Sequence, residues 1–253
     1  MTLTAEGVTV ALAPRPVRFY SQVGSTNDVA LEWLSQGAPS GAVVLADEQI
    51  GGRGRLGRSW YTPPGTALIV SVILRPTAPV LSQLTMLGAL AIYDLLTTIG
   101  VEDISIKWPN DVQVHGRKVS GILPEVLWNG SHLAGVVLGM GINVRIDFSG
   151  TELENHAISI EPVLGRPVDR IALLSDLLVQ VDKWYACLGT FDLFETWQNR
   201  LITIGQSVQL KKDGQMIAGI ADSVDSSGAL IVVDAKGKPN RILAGDVNLG
   251  TTG

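Results

Sequence analysis

The stretch GGRGRLGRSWYTPPGT, residues 51–66, decides which nucleotide-binding folds the chain can have. Its glycines match the dinucleotide fingerprint G-x-G-x-x-G. With Arg58 in place of lysine they also match the phosphate loop G-x-x-x-x-G-K-[ST]. Both motifs require a helix directly after the glycines, because the phosphate binds at the helix N-terminus. Here two prolines and a glycine follow, which prevents a helix, and residues 66–90 lack the acidic residue that the fingerprint requires. The stretch therefore argues against both folds.

What remains is a loop in which Arg53, Arg55 and Arg58 are interleaved with glycines. Glycine lets the backbone approach a ligand closely, and a guanidinium can donate two hydrogen bonds to a phosphate or carboxylate. The stretch thus predicts a mobile anion-binding loop. A solvated basic turn stays open as the alternative, because charge runs are usually solvated.

Composition limits the classes of protein to which the chain can belong. Its 253 residues are 46% hydrophobic and 17% charged, which is typical of a folded globular protein, and the net charge of −5 disfavours a general nucleic-acid binder. Cys187 is the one cysteine, so no intrachain disulfide can form. The sequence shows neither a signal-peptide pattern nor an uncharged apolar run of about 18 residues, so we expect a soluble cytoplasmic protein.

Apolar periodicity predicts strands and helices on both sides of the loop. Ser25 is expected to cap the first helix, with Asp28 completing a capping box. Asn129 and Gly130, between two apolar runs, predict a hairpin turn. The predicted order is strand–turn–helix over 17–37, strands over 41–49 and 65–76, a helix over 81–100, a strand broken at Pro109, an antiparallel hairpin over 117–146, and helices from Asp169 and after Gly189.

A second unit begins near Gly205. Short alternating strands separated by the turns Asp213-Gly214, Ser227-Gly228 and Lys236-Gly237 predict a small β-barrel. We therefore expect two domains, residues 1–204 and residues 205–253.

Two polar clusters carry candidate chemistry. In IKWPNDV, residues 106–112, Lys107 could meet a phosphate, and Asp111 could hold Mg²⁺ or orient a basic group. A β-turn capped by Asn110 and Asp111 is the alternative. Lys118 follows on an otherwise apolar strand, where it lies either in a site or at a protected sheet edge.

Gly139 and Gly141 interrupt an apolar strand. Glycine inside a strand marks either the close approach of a ligand or backbone, or a β-bulge. Asn143 shares their face by the period of two. The histidines, at positions 115, 132 and 156, lack metal-ligand spacing and are expected at the surface, and Cys187 is expected to be a half-buried structural thiol.

Taken in order, five segments resemble biotin–protein ligases: STND (25–28), ADEQIGGRGRLGRSWYTPPGTALIVSVILRP (46–76), KWPNDV (107–112), GRKVSGIL (116–123) and VVLGMGINV (136–144). The resemblance covers about residues 17–250. It implies an α+β fold: a mixed β-sheet with flanking helices, related to class II aminoacyl-tRNA synthetases, followed by a Src-homology-3-like β-barrel. It also implies that biotin and ATP form biotinyl-5′-AMP, and that biotin then passes to one lysine of a biotin carboxyl carrier domain.

The resemblance assigns roles to residues that match the family's motifs. Arg53, Arg55 and Lys118 are the expected catalytic residues. The expected biotin-binding residues are Ser25, Thr26, Asn27, Gln49, Gly52, Arg53, Gly54, Arg55, Lys118, Gly121, Ile122, Leu123, Gly139 and Gly141. The expected ATP- and adenylate-binding residues are Arg55, Arg58, Trp60, Lys107, Asn110, Asp111 and Asn143. Mg²⁺ is expected with the nucleotide, without assigned ligands.

Other expectations concern partners and departures from the family. The expected acceptor is the carrier subunit of acetyl-CoA carboxylase. We expect no membrane partner. Some bifunctional members of the family carry an N-terminal helix-turn-helix that represses transcription, but only about sixteen residues precede the first predicted strand, too few for that domain. The resemblance therefore implies a monofunctional ligase without a nucleic-acid partner. A homodimer stays open. Many relatives have another residue where Pro124 stands; a proline removes one ladder donor there, which leaves a local kink open. A lipoate–protein ligase, an octanoyltransferase and a non-catalytic biotin or nucleotide sensor remain the alternatives.

Overall fold

The computed structural model describes residues 3–212, 215–243, 245 and 247–249. In that part of the chain, a seven-stranded mixed sheet with flanking helices is followed by a five-stranded antiparallel sheet. The predicted α+β fold class is confirmed. The predicted turn at Asp213-Gly214 and the chain end from residue 250 lie outside the described residues.

The larger sheet contains β1 (Val17–Val23), β2 (Val43–Gln49), β3 (Ala67–Leu74), β4 (Ile104–Lys107), β5 (Asp111–Val114), β6 (Arg117–Asn129) and β7 (His132–Asn143). The helices are α1 (Ala5–Leu12), α2 (Thr26–Ser35), α3 (Leu84–Thr98), α4 (Ile160–Leu164), α5 (Arg170–Ala186) and α6 (Phe191–Gln198). The smaller sheet contains β8 (Ser207–Lys212), β9 (Gln215–Val224), β10 (Leu230–Asp234), β11 (Pro239–Ile242) and β12 (Asn248–Leu249).

The strand order of the larger sheet is β1-β2-β3-β7-β6-β5-β4, with β1 and β2 parallel and the other neighbours antiparallel. β6 and β7 form the predicted hairpin and lie centrally. Side chains along each strand alternate between the two faces of the sheet, and each face packs against its own hydrophobic core. In β2, Val43 and Leu45 join the core of α3 and α5, whereas Val44 joins a second core under α2.

The most apolar helical stretch of the described chain contains the core helix α3. By length and composition alone, the helical stretch Ala78–Thr98 is apolar enough to cross a membrane. Ten of its residues are instead buried in the protein core, against the sheet and α5. The apolar character of the stretch is therefore accounted for by core packing.

One local prediction needs correction, and the structure also answers the question left open at Pro124. Ser25 occupies the N-cap of α2 but makes no capping hydrogen bond with its side chain. The first helical N–H, that of Thr26, donates instead to Gln49 Oε1 at 2.7 Å. Pro124 does not kink β6, since the pairing with β7 is regular there and shifts at Leu127/Trp128. The N–H of Ile122 points away from β7, and by the strand alternation so does the nitrogen of Pro124, which therefore costs the β6–β7 ladder no hydrogen bond.

The turn between β4 and β5 is held by the chain that leads into the smaller sheet. The backbone N–H of buried Trp108 donates to Thr203 Oγ1 at 2.9 Å, and its indole Nε1 donates to the Gly228 carbonyl at 2.8 Å. The turn that presents Gly228 is fixed by Asp225, which accepts hydrogen bonds from Ser227 and Ala229. Burial opposes the charged form of Asp225, but these hydrogen bonds and that from the Arg241 guanidinium outweigh it and hold its pKa at about 2.

We predict that Trp108→Phe destabilises the protein by about 1–3 kcal/mol, because it leaves the Gly228 carbonyl without its donor. Urea unfolding measures the change. Trp128→Phe is the matched control, since Trp128 is 49% exposed. Equal stability of the two variants would contradict the link between the two sheets.

Candidate active site

A cavity of about 650 Å³ opens on the α2 face of the larger sheet, beyond the N-terminus of α2. Of the residues predicted for the site, all but Gly52 line it: Ser25, Thr26, Asn27, Gln49, Arg53, Gly54, Arg55, Arg58, Trp60, Lys107, Asn110, Asp111, Lys118, Gly121, Ile122, Leu123, Gly139, Gly141 and Asn143. Gly52 packs against Trp60 instead, since a Cβ there would be 2.7 Å from the carbonyl oxygen of Trp60. Segments that are far apart in sequence thus meet around one space.

Glycines make the floor of this cavity. Gly121 and Gly141 are paired neighbours on β6 and β7, and Trp60 packs directly on both. A Cβ at Gly141 would lie 2.6 Å from Trp60 Cε2, and one at Gly139 would lie 2.3 Å from Asn27 Oδ1. The β-bulge alternative for Gly139 and Gly141 is wrong, since the ladder is regular through both. These glycines allow close approach by side chains.

We call Ser25, Thr26, Asn27 and Gln49, together with the fully buried Ser71 that supports them, the helix end of the cavity. Gln49 Oε1 accepts hydrogen bonds from both the N–H and the hydroxyl of Thr26. Ser71 donates from its hydroxyl to Thr26 Oγ1 at 2.8 Å or to Asn27 Oδ1 at 2.6 Å. Within the described chain, no residue hydrogen-bonds the Ser25 hydroxyl or Gln49 Nε2, so both groups can serve a ligand.

We call Arg55, Arg58, Lys107, Asp111 and Lys118 the cationic end. Lys118 Nζ lies 2.6 Å from Asp111 Oδ1 and 5.2 Å from the centre of the Trp60 ring. Burial lowers the pKa of Lys107, and the nearby Asp111 carboxylate opposes that effect. Burial likewise lowers the pKa of Arg55, again opposed by Asp111. Among the described residues that line the cavity, four cationic groups and one carboxylate therefore face this part, which suits a polyanion.

Residues 52–60, which we call the arginine loop, form a short hairpin-like turn. Gly54 N donates to the Arg58 carbonyl at 2.7 Å, and Trp60 N donates to the Gly52 carbonyl at 2.9 Å. One 3₁₀ turn, Arg55–Gly57, lies inside it, and no helix follows it before β3. The exclusion of both nucleotide motifs is confirmed.

Arg53 and Arg55 of this loop point to different partners. Arg53 forms hydrogen bonds of 2.7 and 2.6 Å to the two carboxylate oxygens of Asp28. These bonds lower the pKa of Asp28 and raise that of Arg53. Arg55 turns toward the cationic end, where Nη1 lies 3.3 Å from Asn110 Oδ1. Arg53 therefore belongs to the helix end and Arg55 to the cationic end.

Two residues that were predicted to bind ligand have their side chains occupied elsewhere. The Ile122 side chain is fully buried on the opposite face, packed against Gly88 of α3, so it can line the cavity only with its backbone. Asn143 is buried, and its Nδ2 donates to the carbonyls of Lys118 and Ile158. Its amide therefore fixes the backbone beside Lys118.

Some residues around the cavity were not predicted from the sequence. Ser71 is the one polar residue in the strand ALIVSVIL, and that break in the apolar run was the available signal. Glu125 accepts a hydrogen bond from Asn27 Nδ2 at 2.5 Å, and the sequence gave no sign of this contact. His156 is exposed as predicted but also lines the cavity. Trp60 Nε1 is buried without a hydrogen-bond partner among the described residues, so it is a donor available to a ligand.

Comparison with known proteins identifies the family. The model of the biotin/lipoate A/B protein ligase family matches residues 19–143, and that of the biotin protein ligase C-terminal domain matches residues 203–250. A biotin–[acetyl-CoA-carboxylase] ligase of Paracoccus denitrificans is 34% identical over 86% of this chain and 94% of its own length. The chain belongs to the biotin protein ligase family.

Other relatives agree with this membership. A biotin–[acetyl-CoA-carboxylase] ligase of Mycobacterium tuberculosis is 33% identical, over 92% of this ligase and 88% of that protein. The Aquifex aeolicus biotin protein ligase, solved in complex with biotin and ATP, superposes with a TM-score of 0.79 at 28% identity. That match covers 93% of this chain and 98% of the Aquifex chain.

We predict that Gly141→Ala displaces Trp60 and lowers ligase turnover by about 100-fold, because displacements near 1 Å at a reacting centre have effects of this size. Gly24→Ala is the control, since a Cβ there meets nothing within 4 Å. Turnover is measured at saturating substrates, and the fold is checked by circular dichroism. Unchanged turnover in Gly141→Ala would contradict the role of the glycine floor.

Proposed function

We propose that the chain activates biotin with ATP as biotinyl-5′-AMP and transfers the biotinyl group to a lysine of a biotin carboxyl carrier protein. Membership of the biotin protein ligase family supports this activity. The observation that carries the proposal is one cavity with a hydroxyl- and amide-rich end and a cationic end. Biotin has the same asymmetry, with an uncharged ureido ring at one end and a carboxylate at the other.

The helix end suits the ureido ring. The Ser25 hydroxyl can donate to the ring carbonyl, and the fixed Gln49 carboxamide lies beside it. Buried polar groups of this kind discriminate strongly, because a ligand that cannot pair them leaves them unsatisfied. We assign Ser25, Thr26 and Gln49 to ring recognition, and Gly121, Gly139, Gly141 and Leu123 to the floor beneath it.

The cationic end suits the reacting groups. The biotin carboxylate must approach a triphosphate, and two like charges about 4 Å apart repel by roughly 4 kcal/mol at an effective dielectric of about 20. Arg55, Arg58, Lys107 and Lys118 oppose that repulsion. We assign Lys118 to the carboxylate and the α-phosphate, with its ion pair to Asp111 holding the ammonium group at the cavity wall.

The chemistry then needs no nucleophile from the protein. A biotin carboxylate oxygen bonds to the α-phosphorus while the bond to pyrophosphate breaks. The acceptor amine, after losing a proton, attacks the acyl carbon, and AMP leaves. Positioning and charge neutralisation are the contributions of the chain.

Mg²⁺ fits the site as a companion of the nucleotide. Among the described residues, no group of three or more acidic, histidine or cysteine side chains could hold a metal. Mg²⁺ commonly takes one or two carboxylates and keeps substrate phosphates as its other ligands. Asp111 is the carboxylate at the cationic end that would meet it, and the ion would neutralise phosphate charge.

Several finer assignments belong to the same proposal. We place the domain boundary between residues 204 and 205, the protein in the cytoplasm, and its acceptor on the carrier subunit of acetyl-CoA carboxylase. Relatives named for that carboxylase support the acceptor assignment. A homodimer could pair through β1, which stands at the end of the larger sheet's strand order.

Mass spectrometry of a carrier domain, incubated with this protein, biotin, ATP and Mg²⁺, tests the activity. We expect a mass increase of one biotin. Parallel incubation with lipoate or octanoate separates the alternative ligases of the same family. Modification by lipoate in preference to biotin would overturn the proposal, and binding of biotin without modification would indicate a sensor.

We predict that Lys118→Ala slows biotin-dependent exchange of pyrophosphate into ATP by about 10²–10³-fold, the usual effect of removing one charge-stabilising group. Lys183→Ala is the matched control, because Lys183 also pairs with an aspartate, Asp94, but does not line the cavity. Near-normal exchange in Lys118→Ala would contradict its role.

A further inference from the structure

A chain of hydrogen bonds connects the arginine loop with the helix end of the cavity. Arg53 Nη2 lies 3.5 and 3.4 Å from the two carboxylate oxygens of Glu125. Glu125 Oε2 accepts from Asn27 Nδ2 at 2.5 Å, and Asn27 Oδ1 lies 2.6 Å from the Ser71 hydroxyl. Ser71 in turn contacts Thr26, which is bonded to Gln49.

Glu125 is the junction of this chain, since it touches both the loop and the wall of the cavity. We propose that Glu125 is a positioning residue that orients the Asn27 carboxamide for biotin binding and, through Arg53, holds the arginine loop beside the cavity. The inference rests on the proposed function for its ligand. Its contacts within the protein do not depend on that function.

The oxygen and the nitrogen of the Asn27 carboxamide are nearly equal in size, so packing alone does not decide which of them faces Glu125. Hydrogen bonds must therefore set the orientation. A carboxylate only accepts hydrogen bonds, so Glu125 requires Nδ2 to point toward it. Asn27 Nδ2 also donates a hydrogen bond to the Leu123 carbonyl at 3.1 Å. Oδ1 then lies above Gly139, where a Cβ would be 2.3 Å away. The orientation of Asn27 therefore shapes the wall where the ring is expected to bind.

The two carboxylates that meet Arg53 have different tasks. Asp28 makes the short bidentate pair with Arg53, and its side chain is 56% exposed. Glu125 is 30% exposed, makes the longer contact with Arg53, and makes the short one with Asn27. Loss of Asp28 should therefore loosen the loop alone, whereas loss of Glu125 should alter both the loop and the cavity wall.

The experiment combines two measurements on Glu125→Ala, Glu125→Gln and Asp28→Asn. Hydrogen exchange of residues 53–59 without ligand reports on the loop, and titration calorimetry reports the dissociation constant for biotin. We expect faster loop exchange in all three variants. Biotin binding should weaken about tenfold or more in Glu125→Ala, because hydrogen bonds to charged groups have effects of at least this size. Glu125→Gln should recover part of that loss, since its amide oxygen can still accept from Asn27.

Asp28→Asn should bind biotin within about threefold of the parent, which is the size of an exposed ion-pair effect. Glu48→Ala is the matched control, because Glu48 is a half-buried glutamate bonded to Gln22 that does not line the cavity. Parent-like loop exchange or parent-like biotin affinity in Glu125→Ala would overturn the proposal. A parent protein that fails to bind biotin would refute the proposed function instead, and the loop measurement would still test the coupling between Glu125 and Arg53.

Discussion

The active site depends on one steric constraint: the central strands β6 and β7 carry no side chain where Trp60 and Asn27 rest on them. Any Cβ at Gly139 or Gly141 would approach those side chains to within 2.3–2.6 Å, which ordinary packing does not allow. The bare backbone lets Trp60 fold down from the arginine loop and lets Asn27 reach across from α2. The cavity, its walls and the position of the loop all follow from that close packing.

The same arrangement separates the charges of the site. Arg53 is bonded to Asp28 and Glu125 beside the helix end, so its charge is locally compensated. At the other end, in the part of the chain that the structure describes, Asp111 is the one carboxylate lining the cavity beside four cationic groups. An elongated ligand with an uncharged ring and an anionic tail therefore has one favoured orientation. Burial strengthens this preference because it lowers the local dielectric response.

Patterns in the sequence predicted the strands and helices of the fold and most of the residues that line the cavity. Gly139 and Gly141 stand out in an apolar strand, and Asn129-Gly130 marks the hairpin that carries them. Side-chain partners were less accessible, because contacts such as that between Glu125 and Asn27 join positions 98 residues apart. Side chains alternate between the two faces of a strand, so Ile122 points away from the cavity while its neighbours Gly121 and Leu123 face it. A family motif that covers all three residues does not show this difference.

The central claim is that ring and adenylate occupy opposite ends of this cavity in one orientation. A crystal structure of the protein with biotinyl-5′-AMP tests it most directly. The account predicts the ureido ring within hydrogen-bond distance of Ser25 and Gln49, over Gly139, and the phosphate beside Lys107 and Lys118. A ligand bound with its phosphate at the helix end, or outside this cavity, would contradict it.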